Sequence, residues 1–291
     1  MLSSIVLKSV LAGGDLRADL VPGMNLLSGT GKSILLSASW YSLAGDWGKR
    51  VGGRIVPPTT LADGSEIHSV YAGKETVIKH VRSESRWATV TPVRDAVVIY
   101  IHSEGASISD PVMGRVVHLS TAQLIGEQRE HRSENCEGLL RDWVTWMQED
   151  GEALHRLRNR VLDAYDVQLT GYARINNGSA ISYPELNGVP VTHAGSAMLR
   201  TAIIAYALVW TWTQHLAACS FTGVSPLQKL VVMLDDVELH VAPQDHPSLL
   251  PALMRSVCAL KGKQPLNAQV IVTTKAQGVK LTRSSYGKSN L

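Results

Sequence analysis

The chain has 291 residues with a formal net charge of +3, 45% apolar and 18% charged side chains. That length can bury a full α/β core without disulfide or metal staples, and so small a charge gives no ground by itself for nucleic-acid binding. Cys136, Cys219 and Cys258 are odd in number, far apart and without CxxC spacing, so neither a disulfide framework nor a zinc site is indicated and a reducing cytoplasm fits best.

The first sixteen residues, MLSSIVLKSVLAGGDL, hold a short apolar stretch with no charged leader; they read as an edge strand rather than a signal peptide. Residues 5–20 form an expected β-hairpin, with Gly13 and Gly14 supplying the positive φ angles of its turn. Residues 21–27 then give a strand, and 34–43 a helix that stops at Gly45. From 46 to 92, glycines and prolines punctuate short alternating runs such as 66–71 and 76–81, which predicts an antiparallel β subdomain. DAVVIYIH, residues 95–102, is a buried strand, and 105–114 is expected to be a loop. The charged stretch 124–137 reads as solvated and carries no functional weight.

Apolar residues at helical spacing over 139–165, broken at Gly151, predict two helices. Residues 166–191 are expected to be loop and turn. They lead through HAGSAMLR into an apolar segment, 202–216, interrupted by Thr211, Thr213, Gln214 and His215. Its unbroken part is well short of the roughly 20 residues a membrane span needs, so a buried helix and no membrane are expected. A helix over 248–260 and a buried strand over 268–274 follow; residues 275–291, with Lys275, Lys280, Arg283 and Lys288 and no acid, read as a loose basic tail.

Two stretches carry chemistry. Residues 230–243, LVVMLDDVELHVAP, place five apolar residues ahead of Asp235 and Asp236. This is the pattern of a buried parallel strand that delivers acids to its carboxyl end, where open α/β sheets bind ligands. The second is Gly29, Thr30, Gly31, Lys32 and Ser33, which stand after a strand and open an apolar helix. Backbone N–H groups at such a turn converge on phosphate oxygens, the lysine adds a point charge, and the hydroxyl serves magnesium. The standard phosphate loop has four residues between its first glycine and Gly-Lys-Ser/Thr; here only Thr30 separates Gly29 from Gly31, and Leu26 stands at the first glycine position.

The ordered set GMNLLSGTGKS, CEGLLRDWVTW, HAGSAMLRTAIIAYALVWTW, VVMLDDVELHVAP, LLPALM and AQVIVTT resembles the ABC-type ATPase family that contains RecF-like, SMC-like and overcoming-lysogenisation-defect-type proteins. The resemblance implies an α/β P-loop NTPase fold: an ABC-ATPase-like head with a mixed or parallel core sheet, flanking helices and an antiparallel β subdomain. Residues 1–274 would form one head, with 46–125 its β-rich variable part, 136–168 its helical part and 275–291 the tail. ATP and Mg2+ are the implied cofactors. Lys32 and Asp236 would be catalytic, and Ser33 and Asp235 would hold the metal. Gly29, Thr30, Gly31, Lys32, Ser33 and Ile34 would bind nucleotide, together with Gly195 and Ser196 reaching the nucleotide of a partner head. The implied partners are a second copy across the nucleotide and an effector protein or DNA, in DNA maintenance or phage defence.

The departures have consequences. Asp236 stands where the family usually has Glu, and Lys275 where a histidine follows two small polar residues; His240 is read as structural. A slow ATPase is expected, with a catalytically inactive nucleotide- or protein-binding module as the alternative.

Overall fold

A computed structural model describes residues 1–10, 14–47, 50–51, 54–55, 61–81, 86–126, 136–148, 152–176, 180–261 and 266–276. In chain order these form β1 (Leu2–Val10), β2 (Gly14–Asp19), β3 (Gly23–Leu27), α1 (Lys32–Ala44), β4 (Arg50–Val51), β5 (Arg54–Ile55), β6 (Leu61–Tyr71), β7 (Lys74–Val81) and β8 (Arg86–Trp87). There follow β9 (Val97–His102), β10 (Gly105–Asp110), β11 (Arg115–Ser120), α2 (Thr121–Ile125), α3 (Leu139–Gln148) and α4 (Glu152–Asp163). The remainder comprises β12 (Leu169–Asn176), β13 (Ala180–Leu186), β14 (Val189–Pro190), α5 (Ser196–Thr222), β15 (Lys229–Leu234), α6 (His246–Ala259) and β16 (Asn267–Thr273).

The fold is mixed α/β. A six-stranded sheet in the order β11-β10-β9-β15-β16-β3 forms its centre. β9, β15, β16 and β3 run parallel, and β10 and β11 close one side antiparallel. The parallel strands are apolar on both faces because both are covered. Leu230, Val232 and Leu234 of β15 pack with α5 and α6 residues in one core, while Val231 and Met233 enter a second core with α1 and with residues of β1, β6 and β7. The alternation continues in β9 and β16, where Val97, Ile99, Val270 and Val272 face the first core and Val98, Tyr100 and Ile271 the second.

The second core joins two sheets. An antiparallel sheet in the order β2-β1-β6-β7-β8 packs on α1, which also touches β9 and β16 of the central sheet. Every residue from Leu35 to Ala44 is buried. This is why the helix has no polar face, and why Ser37, Ser39 and Ser42 return their hydroxyls to backbone carbonyls of Ser33, Leu35 and Ser39. Gly45 ends it in the left-handed region at φ 73°, its N–H bonded to Tyr41 O.

Three readings of the sequence are corrected. β1 is not an edge strand: it lies between β2 and β6. Residues 105–110 are a fully buried strand rather than a loop, because small side chains such as Ser107 and Ser109 fit between β9 and β11 where apolar periodicity would have signalled a strand. Residues 169–176, 180–186 and 189–190 build the antiparallel β12-β13-β14 sheet instead of turns, their register held by backbone pairing that short mixed sequences do not advertise. The strands of the range 46–125 belong to three sheets: β4 and β5 pair with each other, β6, β7 and β8 lie in the antiparallel sheet, and β9, β10 and β11 in the centre. Gly13, Gly151, residues 127–135 and residues 277–291 with Lys280, Arg283 and Lys288 lie outside the described residues.

Candidate phosphate and acid site

The chain entering the site is fixed by a side chain. Asn25, buried in β3, accepts from Val21 N at 2.8 Å and donates to Val21 O at 2.8 Å, so the turn before the strand is closed. After Leu27 the chain reaches α1 through Ser28, Gly29, Thr30 and Gly31. Gly29 and Gly31 hold φ angles of 92° and 78°, a region that glycine enters without steric cost. Gly31 is the helix N-cap. Its carbonyl accepts from Leu35 N at 3.0 Å, which leaves the amides of Lys32, Ser33 and Ile34 as the helix's unpaired first-turn donors. No acid lies in that turn and no side chain caps it. Among the described residues Lys32 has no ion-pair partner. The arrangement suits an anion at the helix N-terminus.

The acids lie two strands away. β16 separates β3 from β15, yet Ser33 Oγ donates to Asp235 Oδ1 at 2.8 Å across the carboxyl end of β16. Thr273, the last residue of that strand, donates to the same oxygen at 2.6 Å and accepts from Asp236 N at 2.8 Å. The backbone is tied as well: Asp235 N–H donates to Ile101 O at 2.9 Å and Val237 N–H to Thr273 O at 3.0 Å. Asp235 is 5% exposed, so its two hydroxyl donors replace the water it would otherwise keep.

Asp236 differs from its neighbour. Its φ of 48° is positive, a conformation uncommon outside glycine and found at functional turns. Oδ2 accepts from Lys275 Nζ at 2.6 Å, and Oδ1 is buried without a partner among the described residues. Lys275 N donates to Glu238 Oε1 at 2.6 Å, while Glu238 Oε2 is likewise enclosed and unpaired. The hydrogen bond and charge of Asp236 raise the pKa of the Lys275 ammonium. Behind the acids sits Arg200, in the second turn of α5 and 6% exposed. Its Nη1 donates to His102 O at 3.1 Å at the end of β9 and its Nη2 has no partner among the described residues. Burial lowers its pKa and the charge of Asp235 opposes that effect.

The structure thus brings Ser33 to Asp235 and sets Asp236 beside them. Gly195, the N-cap of α5, and Ser196 are exposed, and no hydrogen bond among the described residues joins them to the loop. His240 is exposed with φ 67°. Reasoning from sequence missed Thr273 as the hydroxyl linking the acids, and Glu238 and Arg200 altogether. An arginine opening an otherwise apolar helix was the available signal for the last.

The donor set fits magnesium with a phosphate: a hydroxyl and a carboxylate at hydrogen-bond distance are hard oxygens, and magnesium is usually held by one or two protein oxygens, waters and phosphate. Among the described residues no group of three or more His, Cys, Asp or Glu is arranged to hold a metal without such help. The loop is the poorer fit, because only four residues stand between the strand and the helix.

No protein-family model matches the chain, and no curated protein matches it. Two solved structures of the recombination mediator protein RecF in the RecFOR pathway are similar at 13% identity. One, RecF-ATPrS, aligns over 96% of this chain and 94% of its own with a TM-score of 0.41; the other, RecF-ATP, aligns over 96% and 95% with 0.39. Likeness at this level does not assign the chain to a family. No helix among the described residues is long and apolar enough to cross a membrane.

Proposed function

We propose that the chain is an ATP-binding, slowly hydrolysing head of the ABC type. The carrying observation is the 2.8 Å bond from Ser33 to Asp235, which connects a glycine turn and helix N-terminus to an acid at the end of a non-adjacent strand. In this reading the α1 amides and Lys32 neutralise the nucleotide phosphates. Ser33 and Asp235 hold Mg2+, which would supply charge neutralisation and orientation of the terminal phosphate. Asp236 positions the attacking water.

Residues 1–274 act as one cytoplasmic head, and Gly195 and Ser196, exposed at the N-terminus of a 27-residue helix, complete the site of a second copy. Nucleotide-dependent pairing of two heads is then coupled to a partner, an effector protein or DNA, in DNA maintenance or phage defence. The basic residues beyond 275 favour an anionic partner. A second reading, a nucleotide-holding module without turnover, draws on the four-residue loop and the Lys275–Asp236 ion pair.

Steady-state ATP hydrolysis with Asp236→Ala separates the two. The head reading predicts loss of turnover with ATP binding retained; unchanged phosphate release in the variant removes Asp236 from the mechanism.

A further inference from the structure

Asp236 must offer an oxygen to water if it is to position the nucleophile, since a base acts only within hydrogen-bond reach. The Asp236 side chain is 20% exposed, but neither oxygen stands free of the protein. Oδ2 is taken by Lys275 Nζ at 2.6 Å, and Oδ1 is enclosed by protein with no partner among the described residues. The backbone of Asp236 is fixed, its N–H bonded to Thr273 Oγ1 at 2.8 Å and its φ held at 48°.

The cation is as well placed as the acid. Lys275 lies two residues after Thr273, and its N–H is pinned to Glu238 Oε1 at 2.6 Å. One strand end therefore fixes both partners: Thr273 sets the backbone of Asp236, and Lys275 follows on the same segment. The lysine side chain itself is 69% exposed, so its ammonium is free to leave while its backbone stays.

We propose that Lys275 is an autoinhibitory counter-ion: its ammonium closes Asp236 to water and keeps the head in a nucleotide-holding state. The inference rests on the proposed function, since a brake requires a reaction to slow. It also gives the slow turnover a cause in one residue rather than in the short loop. An ion pair with one partner in solvent is cheap to open and is screened by salt, so the brake is releasable. An anionic group of a partner would release it by competing with Asp236 for the ammonium.

The test measures ATP binding and turnover of the full chain at low and moderate salt, for the wild type, Lys275→Gln and Lys275→Arg. Because the Lys275 side chain is 69% exposed, its substitution leaves the packing of the fold untouched. Lys275→Gln is expected to raise turnover at saturating ATP about tenfold, less than the roughly 10²–10⁴-fold a positioned base supplies, and to lose the salt stimulation expected of the wild type. Lys275→Arg, which keeps the charge, retains that stimulation. Turnover of Lys275→Gln equal to or below wild type overturns the brake. If the wild type and Lys275→Gln bind ATP and neither turns it over, the brake is refuted while the nucleotide site stands. If the folded wild type binds no ATP, the proposed function fails and the brake fails with it.

Discussion

Two buried aspartates stand at opposite ends of the same sheet and have opposite surroundings. Asp110, at the end of β10 and 1% exposed, accepts from Val112 N at 2.8 Å and pairs with His215 Nδ1 at 3.0 Å. His215 Nε2 accepts from Leu227 N at 3.0 Å, which leaves Nδ1 as the donor to the carboxyl group. Every polar atom of that pair is answered by the fold. Asp235 is held by two hydroxyls, and around it lie three enclosed polar atoms without partners among the described residues: Asp236 Oδ1, Glu238 Oε2 and Arg200 Nη2. The first arrangement is complete without a ligand; the second leaves buried polar groups that a ligand or solvent must satisfy. A cavity of about 680 Å³ lies at the Asp110 end, lined by Arg94, Asp110, Arg115, Val224 and Leu227 among others.

Substitution should separate the pair. Asp110→Ala removes the acceptor of a buried imidazole, and a loss on the order of 3 kcal/mol in urea unfolding is expected, with ATP affinity unaltered in the variant that remains folded. A third buried acid asks whether burial alone sets behaviour. Asp142 on α3 is pushed from its ordinary 3.8 up to about 6, chiefly by burial, with the Tyr206 hydroxyl pulling the other way. Between about pH 4 and pH 6 the folded chain keeps a proton that the unfolded chain has released. Stability therefore falls as pH rises through that window, by on the order of 2 kcal/mol, and levels off above it. Asp142→Asn should flatten this slope in unfolding measured from pH 4 to pH 7; an unchanged slope would show that other groups set it.

Asp235→Asn retains an oxygen for Ser33 and Thr273 but loses the charge. It should cost about tenfold in Mg2+-dependent ATP affinity, roughly 1.4 kcal/mol, and little in unfolding midpoint, the reverse of the Asp110 result. Thr273→Val keeps the shape and removes the hydroxyl shared by the acids. Its expected effect is the smallest, a few-fold loss of affinity with a stability cost of roughly 1 kcal/mol.

The sequence announced this site unevenly. The run from Leu230 to Leu234 is legible because a strand covered on both faces needs apolar residues throughout. GTGKS is legible because two positive φ angles require glycines and a following helix requires a start. β10 was invisible because Ser107 and Ser109 are buried in a crowded sheet without an apolar signature. The link through Thr273 depends on β16 lying between β3 and β15, a consequence of strand order that no local pattern encodes. Arg200 shows the same limit: its role follows from where the start of α5 meets the end of β9.

Calorimetric titration of Mg-ATP into the purified chain and into Lys32→Ala decides whether the glycine turn and its lysine hold nucleotide. The wild type is expected to bind and the variant to lose binding, both proteins being folded by circular dichroism. Equal affinity in the two proteins, or no binding to the folded wild type at millimolar ATP, would contradict it.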